Sequence, residues 1–293
     1  MLGIDSLHYL VEDWKASVVD FIMTSSDTHR LAEYSLHVSR ILAYRDLDVQ
    51  TTLKKIDSMS DELSLSIKKL MPLRPTQLID EINNYIYKEQ EFKPNLQDYY
   101  NPLNSYLNVV LERKTGIPIT FSILYMRIAH NLKFTLYPVN FPSHFLLKHI
   151  LDGDNNEIII DPFNKGRIMD DYSLKELLDQ YYPKRNIPLT REFVENATAA
   201  QVIIRMLNNL KSSYYESHDV DKAELANEMI MCMDQYNPDA IRDRGMILLK
   251  RGKPTDALEM LSSYLEIDPE ATDADAVLDI IRQIRSETNR NKI

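Results

Sequence analysis

A chain of 293 residues with 44% hydrophobic side chains is long enough for two or three domains and can bury ordinary cores. A formal net charge of −10 argues against a general phosphate-backbone binder, and a single cysteine rules out an intrachain disulfide framework or a cysteine-rich zinc site. Six glycines against abundant Leu, Ile, Glu and Lys favour helix over a β-sandwich or a glycine-rich nucleotide fold.

Residues 1–95 read as an N-terminal helical region. From His29 to Tyr44, Leu31, Tyr34, Leu36, Ile41 and Leu42 recur at spacings near three, four and seven and define one apolar stripe. Ser60 opens a second pattern through Leu63, Ile67 and Leu70, which Pro72 and Pro75 interrupt. A third helix is expected over Leu78–Tyr87. None of these carries chemistry.

The stretch 96–195 changes character and reads as a separate core. NPLNSYLNVVLERKTGIPITFSILYMRIAHNL contains two helices parted by a turn at Thr115 and Gly116, with Pro118 in the first turn of the second, where its missing N–H would be unpaired anyway. That second helix, with Phe121, Leu124, Tyr125 and Ile128, is expected to be buried on one side. Three strands follow: Phe134–Val139, Phe145–Leu151 and Glu157–Ile160. Asp152-Gly153 signals a tight hairpin turn. That turn sets Glu157 beside Lys148, Ile160 beside Phe145 and Asp161 opposite His144, whereas a looser loop through Asn155 and Asn156 shifts the pairing.

Residues 200–293 contain an internal repeat. Ala226 and Ala257 are 31 residues apart, as are Pro238 and Pro269, so a small residue and a proline recur together. Small residues let paired helices approach and the proline ends the second helix of each unit, which is the logic of a tetratricopeptide repeat. Gly245 takes the small position of the second unit, and Tyr214 the corresponding place in the first.

His144 and Asp161 are the most suggestive pair, because a carboxylate orients an imidazole for base chemistry. The bland account is a satisfied histidine and a turn-forming aspartate before Pro162. A thiol at a helix N-terminus would complete the set, yet the helix at Pro118 offers only the hydroxyls of Thr120 and Ser122, which more often cap backbone. Cys232 lies in the Met-rich helical pattern MIMCMDQY and reads as a core thiol. LDGDNNE fails as a calcium loop, with Glu157 where glycine is needed and Phe163 where glutamate belongs. His144 and His149 fall on opposite faces of a strand and cannot share a metal.

The blocks NPLNSYLNVVLERKTGIPITFSILYMRIA, YPVNFPSHFLLK and IIIDPFNKGRIM, in this order, resemble the bacterial SirB-type transglutaminase-like proteins, which carry tetratricopeptide repeats after the core. The resemblance implies an α+β, predominantly helical fold: a transglutaminase-like, papain-like core with a small antiparallel sheet, a helical N-terminal part and C-terminal repeat hairpins. In related thiol enzymes a cysteine at a helix N-terminus works with a histidine and an aspartate, here matched by His144 and Asp161. Spacing from Gly116 puts the cysteine position at Pro118, or at Thr120 with a shift of two residues. Neither residue supplies sulfur.

The expectation is therefore a non-catalytic, pseudoenzyme-like binding or regulatory protein that meets a protein partner through residues 200–293, without cofactor, metal or nucleic acid. The alternative is a hydrolase or acyl transferase using Thr120 or Ser122, with His144 as base and Asp161 as its orienter. No apolar run approaches the ~20 residues that span a bilayer, and the N-terminus lacks a basic segment followed by an apolar one, so a cytoplasmic location is expected.

Overall fold

In the computed structural model, which describes residues 4–24, 27–142, 144–151 and 156–290, packing divides the chain into two units. One is Asp20–Asn209; the other joins Met1–Val19 to Leu210–Ile293. By this division most of the helices of residues 1–95 fall in the unit that also holds residues 96–195.

Among the described residues the core unit is built of helices around a small sheet, an α+β, mostly helical fold. Asp48 fixes the start of the helix Val49–Ile67 by accepting a 2.9 Å hydrogen bond from Thr51 N–H. This helix begins well before Ser60, where the sequence pattern had placed it. Val49, Leu53 and Ile56 already face the core, but the intervening Gln50, Thr51, Lys54 and Lys55 mask the stripe. Helix Leu31–Leu42 lies within the expected span, and Pro75–Asn83 continues as a π-helical turn Asn84–Glu89.

The helix Pro118–Asn131 is buried nearly all round rather than on one side. Its Arg127 grips Asp57 with two hydrogen bonds of 2.8 and 2.9 Å, and Asn131 adds a third at 2.7 Å, so polar pairs hold it against Val49–Ile67. Just before it, Lys114 ends the helix Leu107–Arg113 in a left-handed conformation, φ 55°. Strand β2 (Thr115–Gly116) then pairs in parallel with β1 (Lys93–Pro94), where the sequence had indicated only a turn.

Strands β3 (Tyr137–Val139), β4 (Leu146–Ile150), β5 (Glu157–Asp161) and β6 (Arg167–Met169) form an antiparallel meander in chain order. Leu147 pairs with Ile160 and Ile150 with Glu157, two residues away from the register expected for a tight turn. The looser alternative is the one adopted: Leu151 N–H donates to Asn156 O at 2.9 Å, and the Asp152-Gly153 turn itself lies outside the described residues. A shift of two keeps every side chain on its face, so Lys148 still reaches Glu157 at 3.3 Å. Strand β6 was not anticipated. Lys165 and Gly166, both at positive φ, reverse the chain into it.

In the second unit, helices Val220–Met233, Pro238–Lys250, Pro254–Ile267 and Ala274–Arg290 pack as successive neighbours. Ala226 and Ala257 are fully buried, and a Cβ on Gly245 would stand 2.7 Å from Leu261 Cδ2, so the small residues serve close helix approach as expected. Pro238 has a different role from the one assigned. Val220–Met233 stops at Asp234, and Pro238 occupies the first turn of the next helix, capped by Asn237 accepting from Ala240 N–H at 3.0 Å. Residues 4–19 join this unit through Trp14, fully buried, whose Nε1 donates to Met229 O at 3.0 Å.

Candidate functional site

Asp161 ends β5 and caps the turn Pro162–Asn164. Its carboxylate is 1% exposed and receives four donors: His144 Nε2 at 2.9 Å, Phe163 N–H at 3.0 Å and Asn164 N–H at 3.2 Å on Oδ1, and Asn164 Nδ2 at 2.6 Å on Oδ2. Burial pushes this carboxyl's pKa up, but the hydrogen bonds from His144 and Asn164 and the nearby imidazole outweigh it and hold the group below its ordinary range. With Nε2–H committed to the carboxylate, a neutral His144 presents Nδ1 as an acceptor. That is the arrangement of an oriented base. His144 lies two residues before β4 and Asp161 ends β5, so both stand at the same end of the antiparallel pair.

The turn that carries Asp161 is held from below by polar groups on two helices. Tyr87 donates to Pro162 O at 2.5 Å, Asn83 Nδ2 to Gly166 O at 3.0 Å, and Tyr125 to Asn83 Oδ1 at 3.0 Å. Sequence reasoning missed these supports. Their only local signal was the turn composition Asn-Lys-Gly; the partners come from 42 to 83 residues away.

The helix N-terminus stands one aromatic ring from the imidazole: the Phe163 ring centroid is 6.3 Å from Phe121 and 6.0 Å from His144. Pro118 takes the first helical position there. Thr120, fully buried, donates to backbone at Asn104 O or Ile117 O, each 3.0 Å away, and accepts from Ile117 N–H at 3.2 Å. Ser122, also fully buried, donates to Phe145 O at 3.4 Å. Among the described residues neither hydroxyl is bonded to His144. Cys232 is half-buried in the other unit, with burial raising its thiol pKa, which disfavours the thiolate. Among the described residues no group of three or more His, Cys, Asp or Glu could hold a metal, and no helix is long and apolar enough to cross a membrane. His149 instead sets Nδ1 against Thr135 O at 2.8 Å.

An imidazole–carboxylate pair at one end of an antiparallel meander, one ring from the start of a buried helix, together with small-residue helical repeats, defines a transglutaminase-like protein with a repeat module. Comparison agrees: residues 50–208 match the transglutaminase-like superfamily and residues 210–282 the tetratricopeptide repeat. A UPF0162 protein of Xylella fastidiosa (strain Temecula1 / ATCC 700964) is 32% identical over 244 residues, covering 80% of this chain and 83% of its own. UPF0162 protein YchA of Escherichia coli (strain K12) is 27% identical over 240 residues, with the same shares. F-box only protein 21 of Mus musculus is 33% identical over 190 residues, 58% of this chain and 29% of that protein. The chain belongs to the UPF0162 family of the transglutaminase-like superfamily.

Proposed function

We propose that this protein is a non-catalytic binding module: the repeat unit meets a protein partner, and the cleft at His144 binds without reacting. The observation that carries the reading is the chemistry at the helix start. Acyl transfer through this pair needs a nucleophile facing the imidazole. Pro118 has none, and the hydroxyls of Thr120 and Ser122 are spent on backbone carbonyls. The retained pair has a structural use, since removing His144 would take one donor from a buried carboxylate, a loss of about 1–3 kcal/mol.

Chromogenic amides and esters tested between pH 5 and 9 are expected to show no turnover above that of His144→Ala. Turnover in the native chain that the substitution abolishes would instead overturn the non-catalytic reading in favour of the hydrolase or acyl-transferase alternative.

Tetratricopeptide repeats are protein-interaction modules. On the repeat unit, Lys211, Tyr215, Arg242, Asp243 and Met246 line a groove of about 310 Å³. Proteins captured by the full-length chain should be reduced severalfold by the double change Tyr215→Ala and Met246→Ala, with quantitative mass spectrometry as the readout. Unchanged capture of every partner would remove this groove from the binding surface.

A further inference from the structure

Arg205 belongs to the helix Ala199–Glu216 and reaches the segment that carries His144. Its Nη1 donates to Phe141 O at 3.1 Å and to Asn140 Oδ1 at 3.4 Å, and the guanidinium lies 5.4 Å from the centroid of the Phe145 ring. The Phe141 carbonyl also accepts from His144 N–H at 3.1 Å. One oxygen therefore ties the guanidinium to the backbone of the candidate base. Rings close the other side of the circuit: Phe163 is 6.0 Å from the His144 ring and 6.3 Å from Tyr99, and the Tyr99 phenol lies within electrostatic reach of Arg205. The rim beside Tyr99 is open, with Tyr100 67% and Leu96 73% exposed.

A guanidinium withdrawn from water ordinarily finds a carboxylate. Among the described residues Arg205 forms no ion pair, and its Nε and Nη2 make no hydrogen bond; the groups whose charge it feels are the phenols of Tyr99 and Tyr181. Burial accordingly presses its pKa downward, with nothing negative at neutral pH to offset it. An uncompensated cation half-sunk beside an oriented histidine is costly unless a ligand supplies the anion. The unused edge offers two parallel donors, which match the two oxygens of a planar carboxylate. A phosphate dianion calls for more positive charge than one guanidinium brings.

We propose that Arg205 receives a carboxylate of a peptide lying across the surface beside His144, Phe163 and Tyr99, with Nε and Nη2 donating to its two oxygens and the open rim covering the neighbouring residues. This rests on the reading of the cleft as a binding site, and its failure is read separately from that of the non-catalytic assignment, which turnover alone decides.

The probe is a set of fluorescent, acetylated heptapeptide pools randomised over Ala, Ser, Leu and Tyr, titrated against the full-length chain by anisotropy. One pair carries Glu or Gln at the centre, with an amidated end. The other pair has no central acid and ends as a free acid or an amide. At least one acidic pool is expected to bind about tenfold more tightly than its neutral counterpart, and which pair responds distinguishes a side chain from a chain end. Arg205→Gln should erase that preference, so that acidic and neutral pools bind the variant alike. Arg205→Lys, which keeps the charge but not the two-donor edge, should reduce it. Equal binding of acidic and neutral pools, no binding of any pool, an unchanged preference in either variant, or displacement by inorganic phosphate but not by acetate would each overturn the proposal.

Discussion

Asp161→Asn is expected to lower the stability of the core unit by about 2–4 kcal/mol. The carboxylate collects four donors in a site almost closed to water. An amide of the same shape brings an N–H into that ring, so at least one donor must face another donor, and the negative charge that drew them together is gone. The loss should appear as a lower urea midpoint in near-ultraviolet circular dichroism. The pH dependence gives a second check. The folded-state pKa of Asp161 lies below its ordinary value, so its contribution to stability is complete above the unfolded carboxyl pKa of about 3.9 and is lost as pH falls through the folded value. In Asp161→Asn that part of the acid sensitivity should vanish. An acid-unfolding curve identical in both proteins would remove the carboxylate from any stabilising role.

Gly166→Ala is expected to cost roughly 2–4 kcal/mol by a different route. Gly166 sits at φ +71°, where an L side chain is strained, and a Cβ there would stand 1.7 Å from Asn83 Oδ1. Asn83 cannot turn aside without releasing both Tyr125 and the Gly166 carbonyl. The turn bearing Asp161 would then loosen, so the His144 ring signals should shift in nuclear magnetic resonance spectra even where the variant remains folded. Asn83→Ala combined with Gly166→Ala should recover the steric part of the loss but not the backbone part. A single variant as stable as the native chain would show that the turn relaxes freely.

Much of the site was legible because its chemistry is carried by residue types in a fixed order. His144 and Asp161 are set opposite each other by a tight-turn register; the observed register is shifted by two residues, and the two side chains meet at 2.9 Å where the chain enters β4 and leaves β5. The start of the helix Val49–Ile67 was harder to read, because charged residues on its solvent face diluted the apolar stripe in the first turns. Strand β6 is three residues long, too short for alternation to register.

The sequence by itself determined the helical composition, the repeat spacing of small residues and the candidate imidazole and carboxylate. Those are properties of residue type and local period, which a single chain displays directly. Only the tertiary structure decided that Trp14 belongs with the repeats, that Thr120 and Ser122 are turned to backbone carbonyls, that Asn83, Tyr87 and Tyr125 brace the Asp161 turn, and that Arg205 shares the Phe141 carbonyl with His144 and, among the described residues, has no carboxylate. Each depends on groups far apart in sequence whose meeting is set by packing, and hydrogen-bond partners across such distances leave no periodic trace in the chain.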